Sequence, residues 1–337
     1  MPVDIPTLVD LVVARARVDT SAPDSVNLRN GWRTDALLTG DIDALVVGKN
    51  NDPATYAEIG QLVYAQVTDL PEMATLAELA ILRGARLIAP ADPVREQSIL
   101  QLSDMLKRHI SALPDGTRKM RCASLLEYHM GIFYETYGRF DLAAAAQIRS
   151  AEEAERLGDR AGTAIAYYSA ARDNLKEALR TDKPADELKA LFSEQETRFA
   201  ELVEAVRDTP HEVQWTQGNC PMHMVEACVW LNRTHPRWDE WVATAVAAPV
   251  KLGAAWMPGA DFVLAADMDH RDDPGAEDTL YTIARDNNVN ERKATANLIL
   301  ARRALRAGAR GAAQILVMLM PTEGTQHVRA IAERLLA

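Results

Sequence analysis

Cys220, His223, Cys228 and His235 place two thiols and two imidazoles within sixteen residues, the ligand types that structural zinc selects. Their spacing, C-x2-H-x4-C-x6-H, matches no zinc finger or knuckle. Cys228 also falls among apolar residues, where a free thiol packs as a small hydrophobe. Packing is therefore favoured over metal for these four, and no cofactor is expected. A second run, Asp267-Met268-Asp269-His270-Arg271-Asp272-Asp273, invites a divalent cation. A calcium loop needs an oxygen ligand at its fifth position and glycine at its sixth, where this chain has Arg271 and Asp272. Magnesium in all-helical diphosphate enzymes needs a second metal-binding helix, and no counterpart stands out, so the run reads as a solvated acidic loop. His211-Glu212-Val213-Gln214-Trp215 starts like a zinc-protease helix, but tryptophan occupies the place of the second histidine. Walker, nucleophile-elbow and dinucleotide-binding patterns are absent. No catalytic residue is assigned, and the balance leans away from an enzyme.

The residues that would position such groups belong to a chain of 337 amino acids with 48% hydrophobic and 25% charged residues. That composition suits a globular protein, and its length suits two domains or one elongated array. Three cysteines make no disulfide framework, and no apolar run or basic leader stands out, so a cytoplasmic protein is expected. Arginine-rich, lysine-poor and alanine-rich usage hints at a bacterial or phage gene. Net charge is −11, which disfavours nonspecific nucleic-acid binding by the whole molecule. The charge is uneven: nine acids face four bases over 182–212, seven acids face one base over 261–278, and nine bases face four acids from Arg285 onward. Solvated helix faces explain such runs; a basic C-terminal segment docking on an acidic partner or on the chain's own acidic stretch is the sharper reading.

Helical periodicity recurs along the chain and strand-like alternation is nearly absent. The spacing predicts an all-α protein of antiparallel helix hairpins. Thr34–Leu38 and Ile42–Val47 form one short hairpin, and Thr55–Val67 with Glu72–Leu82 a second. A long helix over Pro93–Leu113 closes at Pro114-Asp115-Gly116. Helices over Ser124–Tyr137, Asp141–Leu157 and Arg160–Leu179 are separated by Gly138-Arg139 and Gly158-Asp159. Further on, helices are expected over Met222–Leu231 and Asp239–Leu252, then a looser stretch through Pro258-Gly259, and a final helix over Thr325–Leu336. Five of six tryptophans lie between 211 and 276 and read as core or interface packing.

Gly131, Tyr134, Gly138, Phe140 and Ala143 follow a spacing that resembles the tetratricopeptide repeat, in which small residues let paired helices approach and aromatics fill the gap. Glu127 stands where the signature tryptophan is usual, Glu155 where the closing proline is, and Asn174, after Ala171, replaces the next aromatic. Leu300, Ala301, Leu305, Gly308, Ala313, Leu316 and Pro321 follow the same scheme. The matches cover about a quarter of the chain. The resemblance implies hairpins stacked as a tetratricopeptide-like α-solenoid, because each pair leaves an apolar face for its neighbour to cover. It also implies a groove lined by Tyr168, Arg172 and Lys176, with Arg302 and Arg306 on the equivalent face, facing solvent and clamping carboxylates of a protein or peptide.

These features divide the chain into N-terminal hairpins (1–90), a tetratricopeptide-like array (91–210), a Trp/Cys/His-containing insertion or seam (211–276) and C-terminal tetratricopeptide-like helices (277–337). The expected function is a non-catalytic scaffold binding a protein or peptide, an acidic one among the candidates, with no membrane association. One alternative is an all-helical enzyme or sensor with its site near 211–276. The other is a nucleic-acid-associated protein using the basic C-terminal helices.

Overall fold

The computed structural model of the protein describes residues 5–21, 53–87, 93–209, 211–253 and 256–337. Among them are fifteen α-helices, one π-helical stretch and no strand. The helices are α1 (Ile5–Ser21), α2 (Pro53–Tyr64), α3 (Pro71–Leu87), α4 (Pro93–Ala112), α5 (Thr117–Thr136), α6 (Phe140–Arg156), α7 (Arg160–Arg180) and α8 (Ala185–Val206). After a π-helix over Gln214–Asn219 follow α9 (Cys220–Trp230), α10 (Trp238–Leu252), α11 (Met257–His270), α12 (Ala276–Asp286), α13 (Asn290–Arg306), α14 (Arg310–Met318) and α15 (Gln326–Leu336). No described helix is long and apolar enough to cross a membrane. The hairpin expected over 34–47 lies outside the described residues.

The chain divides into two compact units, Met1–Phe133 with Ala146–Thr163, and Tyr134–Ala145 with Ala164–Ala337. Each of α5, α6 and α7 contributes to both. In the first unit α2 and α3 form a hairpin around Ile59, Val63, Met73, Leu76 and Ala80, all buried. Glu78 accepts from His109 at 2.8 Å and Glu72 from Arg118 at 2.5 Å, tying α3 to α4 and α5. Gly131 explains why α5 and α6 approach so closely, since a Cβ there would lie 2.4 Å from the Gln147 amide nitrogen. Ser124 and Ser150 donate to each other's carbonyls at 3.1 and 2.9 Å, so the seam buries no unsatisfied hydroxyl at this level.

Gly138, Gly158 and Gly308 all have positive φ (68°, 72° and 74°) and end a helix in the same way. Behind each, the next backbone N–H reaches back five residues: Arg139 to Tyr134, Asp159 to Ala154, Ala309 to Ala304. This glycine-terminated turn satisfies the orphan carbonyls of the helix end and reverses the chain. Asn232 and Asp272 adopt the same left-handed conformation after α9 and α11.

In the second unit α9 is buried nearly all round, and α13 lies against it. The acidic 182–212 stretch is mostly α8, which turns Phe192, Phe199, Leu202 and Val206 inward and leaves most of its acids in water. Two expectations are corrected here. The stretch through Pro258-Gly259 is the first turn of α11, where proline at the helix start lacks only an N–H that would be unpaired anyway. Asp267 and Asp269 belong to the last turns of the same helix. Asp267 accepts from Trp238 Nε1 at 2.8 Å, and Asp269 from Arg303 at 2.7 Å.

Candidate functional site

Helix α7 carries Tyr168, Arg172 and Lys176 one turn apart, and the structure buries all three: 1%, 7% and 1% exposed. The solvent-facing groove expected for them is therefore corrected. Arg172 donates to Glu135 at 2.5 Å, to Glu291 at 2.6 Å and to Glu226 at 3.2 Å. Lys176 Nζ lies 2.6 Å from Glu135 and 2.6 Å from Glu291. Arg292 reaches the other oxygen of Glu226 at 3.3 Å, and His327 Nε2 lies 3.2 Å from Glu291. The carboxylates come from the last turn of α5 and from α9 and α13, far along the chain. A periodic stripe of cations looks the same on a helix whether water or distant carboxylates face it.

Aromatic rings wall the charges. Arg172 and Lys176 each lie 5.7 Å from the Trp230 ring centroid, and Lys176 5.5 Å from that of Phe140. The faces of these rings favour cations where water is excluded. His327 meets Trp230 and Phe140 edge-on, at 4.6 and 5.1 Å. Tyr168 stacks on His223 and accepts from Gln195 at 3.3 Å.

The protonation states follow from burial and neighbours. Burial pushes Glu291 upward, but Arg172 and Lys176 more than reverse it and hold it well below the usual carboxylate range. Glu135 is lowered for the same reason, burial again being outweighed by Lys176 and Arg172. Asp173 goes the other way: burial and then Glu135 raise it well above its ordinary value. Burial, only partly offset by Glu291, lowers His327 to about 4. The cluster sets Arg172, Lys176 and Arg292 against Glu135, Glu226 and Glu291. It is a buried ionic tie between α5, α7, α9, α13 and α15.

Arg302 and Arg306 are placed elsewhere, in a cleft of about 230 Å³ between the ends of α9 and α11 and the flank of α13. Arg302 is part-buried. It donates to the carbonyls of Val229 at 2.6 Å and Trp230 at 3.2 Å at the end of α9, the first of which also accepts from the Asn232 N–H at 3.1 Å. Burial lowers it to about 10, with Asp269 compensating in part. Arg306 is mostly exposed and lies 3.6 Å from Asp269, which Arg303 already holds. Arg233, which the spacing gave no reason to single out, lines the same cleft and lies 4.5 Å from the Phe192 ring centroid. Neither Arg233 nor Arg302 is ion-paired among the described residues. Asp272 and His270 complete the rim.

The four metal candidates do not converge. Cys220 lies against the Tyr168 hydroxyl and His223 against the Tyr168 ring. Cys228 is buried, its thiol pushed up to about 12 by desolvation. His235 pairs with Glu196 at 3.0 Å and stacks on Trp241. Among the described residues no group of three or more metal-ligating side chains is assembled. Sequence reasoning also missed Glu135, Glu226, Glu291 and His327. One signal was available: Glu226 is the only charged residue that α9 carries in an otherwise apolar helix.

No protein-family model matches the chain, and neither the curated proteins nor the solved structures include one similar to it.

Proposed function

We propose that the chain is a non-catalytic scaffold of tetratricopeptide-like helix pairs that binds an acidic segment of a protein partner in the α9–α11–α13 cleft. The observation that carries this reading is the pair Arg233 and Arg302, which line the cleft without a carboxylate partner while every cation of the buried cluster has one. A carboxylate entering there gains charge-assisted hydrogen bonds without breaking an existing pair at Arg233. The volume favours a peptide group. Cofactor and drug-sized pockets occupy roughly 300–1,000 Å³, whereas this cleft suits one acidic side chain or a chain terminus. The helix ends at Gly138, Gly158 and Gly308 repeat one turn, in keeping with a repeat architecture. Three free, buried cysteines fit a reducing compartment such as the cytoplasm.

The test uses a fluorescein-labelled glutamate-rich peptide with a free C-terminal carboxylate, titrated by anisotropy. Replacing Arg233 and Arg306 together with alanine is expected to weaken binding at least tenfold, about 1.4 kcal/mol. Arg149→Ala with Arg156→Ala, on the exposed face of α6, is the control and is expected to leave affinity unchanged. Equal affinity of the cleft variant and the wild type sinks the reading.

A further inference from the structure

Helix α14 leaves a large part of its apolar surface uncovered. Ile315 is 58% exposed and Met318 79%, and Leu319, in the turn that follows, is 67% exposed. Ala313, Leu316 and Val317 are buried on the opposite side, so the helix is anchored and its outer face is a defined surface. Gly311 and Ala312 complete that face. Both are exposed, and a Cβ at Gly311 would meet nothing within 4 Å. An outward helix face in a monomeric protein is ordinarily polar, and terminal units of helical arrays are polar on their outer side for solubility.

The order of sizes along this face says what covers it. Counting outward from Ile315, Gly311 and Leu319 are each four residues away, and Ala312 and Met318 each three. The spacing reads the same in both directions, while the sizes are opposite, small on the N-terminal side and large on the C-terminal side. Two copies crossing antiparallel at Ile315 therefore set Leu319 of one against Gly311 of the other, and Met318 against Ala312. Charge agrees with the packing. Arg310 opens the N-terminal side and Glu323 follows the C-terminal side in the chain, so the antiparallel arrangement brings opposite signs together. A twofold interface requires this kind of self-complementary patch.

We infer that the exposed face of α14 is a homodimer interface in which a second copy packs antiparallel about Ile315. A helix of nine residues is about 14 Å long, so the contact falls below the roughly 1,200 Å² of standard stable interfaces. The dimer is consequently weak and concentration-dependent, with a Kd on the order of 10–100 µM.

Sedimentation velocity of the full chain from about 5 to 300 µM tests this, a range spanning that Kd. The weight-average mass is expected to rise from monomer toward dimer in the wild type and to stay monomeric in Met318→Glu and in Leu319→Glu, with unchanged circular dichroism. Both sites are solvent-exposed in the single chain, so folding is not at risk. Mild oxidation fixes the register. Ile315→Cys is expected to cross-link with itself, whereas Gly311→Cys and Leu319→Cys cross-link when mixed and not alone. A wild type that remains monomeric throughout overturns the inference, as does a dimer that survives both glutamate variants. Self-cross-linking of Gly311→Cys without cross-linking of Ile315→Cys overturns the antiparallel arrangement.

Discussion

Lys176 shows how strongly a buried charge depends on its partners. It is 1% exposed between Glu135 and Glu291, sharing the Glu135 Oε1 with Arg172, which takes the other oxygen of Glu291. Substituting methionine keeps the volume but leaves two buried carboxylates to a single guanidinium. Breaking a buried pair in this way costs about 3–5 kcal/mol, which urea denaturation of Lys176→Met would read as a lower midpoint. Arg180→Ala, which removes an exposed pair with Glu177, is expected to cost less than about 1 kcal/mol. Comparable losses in the two variants would mean that the cluster does not tie the helices together.

The same residues set a pH window. His327 titrates near 4 in the folded chain against 6.5 ordinarily, because burial disfavours its charged form. The unfolded state therefore binds the extra proton first as pH falls from about 6.5 to 4. Stability is lost across that interval by up to about 3 kcal/mol. Glu291, held well below the carboxylate range, contributes stability at neutral pH that is lost with further acidification. Asp173 acts in the opposite sense, since its raised value favours the folded state at low pH and withdraws that contribution as pH rises. Urea midpoints measured between pH 4 and 7 are expected to fall less steeply on the acid side in His327→Gln than in the wild type. Identical slopes would remove His327 from the account.

At the scale of elements, the helix-terminating glycines allow a separation of causes. Gly158 has φ +72°, and an added Cβ there would meet nothing within 4 Å. Gly158→Ala therefore isolates the cost of left-handed backbone, about 1 kcal/mol, as a shifted urea midpoint at unchanged slope. Gly158→Asn is expected to lose less, because asparagine tolerates this conformation, as Asn232 does after α9. If both variants matched the wild type, the turn would not be holding the left-handed form. These junctions were legible in the sequence because a glycine between two periodic stretches has a local physical meaning. Helix α11 was not, because Pro258-Gly259 at a helix start looks like a loop until the following apolar face finds its partner in α10 and α13.

Across the whole molecule, helical content could be read from periodicity, which depends only on neighbours three and four residues apart. The exposure of charged stripes could not. Arg172 and Arg302 carry the same side chain on equally periodic helices, yet one is surrounded by three carboxylates and the other caps two carbonyls beside a cleft. What distinguishes them lies 37 to 119 residues away along the chain. The register of the resemblance named Arg302 and Arg306 for a groove shared with Arg172, whereas they line a separate cleft, which Arg233 joins through the reversal of the chain after α9.

The distance between partners also orders events in time. Arg172 and Glu291 are 119 residues apart. At about 5–20 residues per second, a ribosome needs on the order of 6–24 s to deliver the glutamate after the arginine. Glu135 is already synthesised when Arg172 is, Glu226 follows 54 residues later, and Glu291 completes the carboxylate trio last. The basic stripe that the mature fold conceals therefore gains its full set of counter-charges only once α13 has been made.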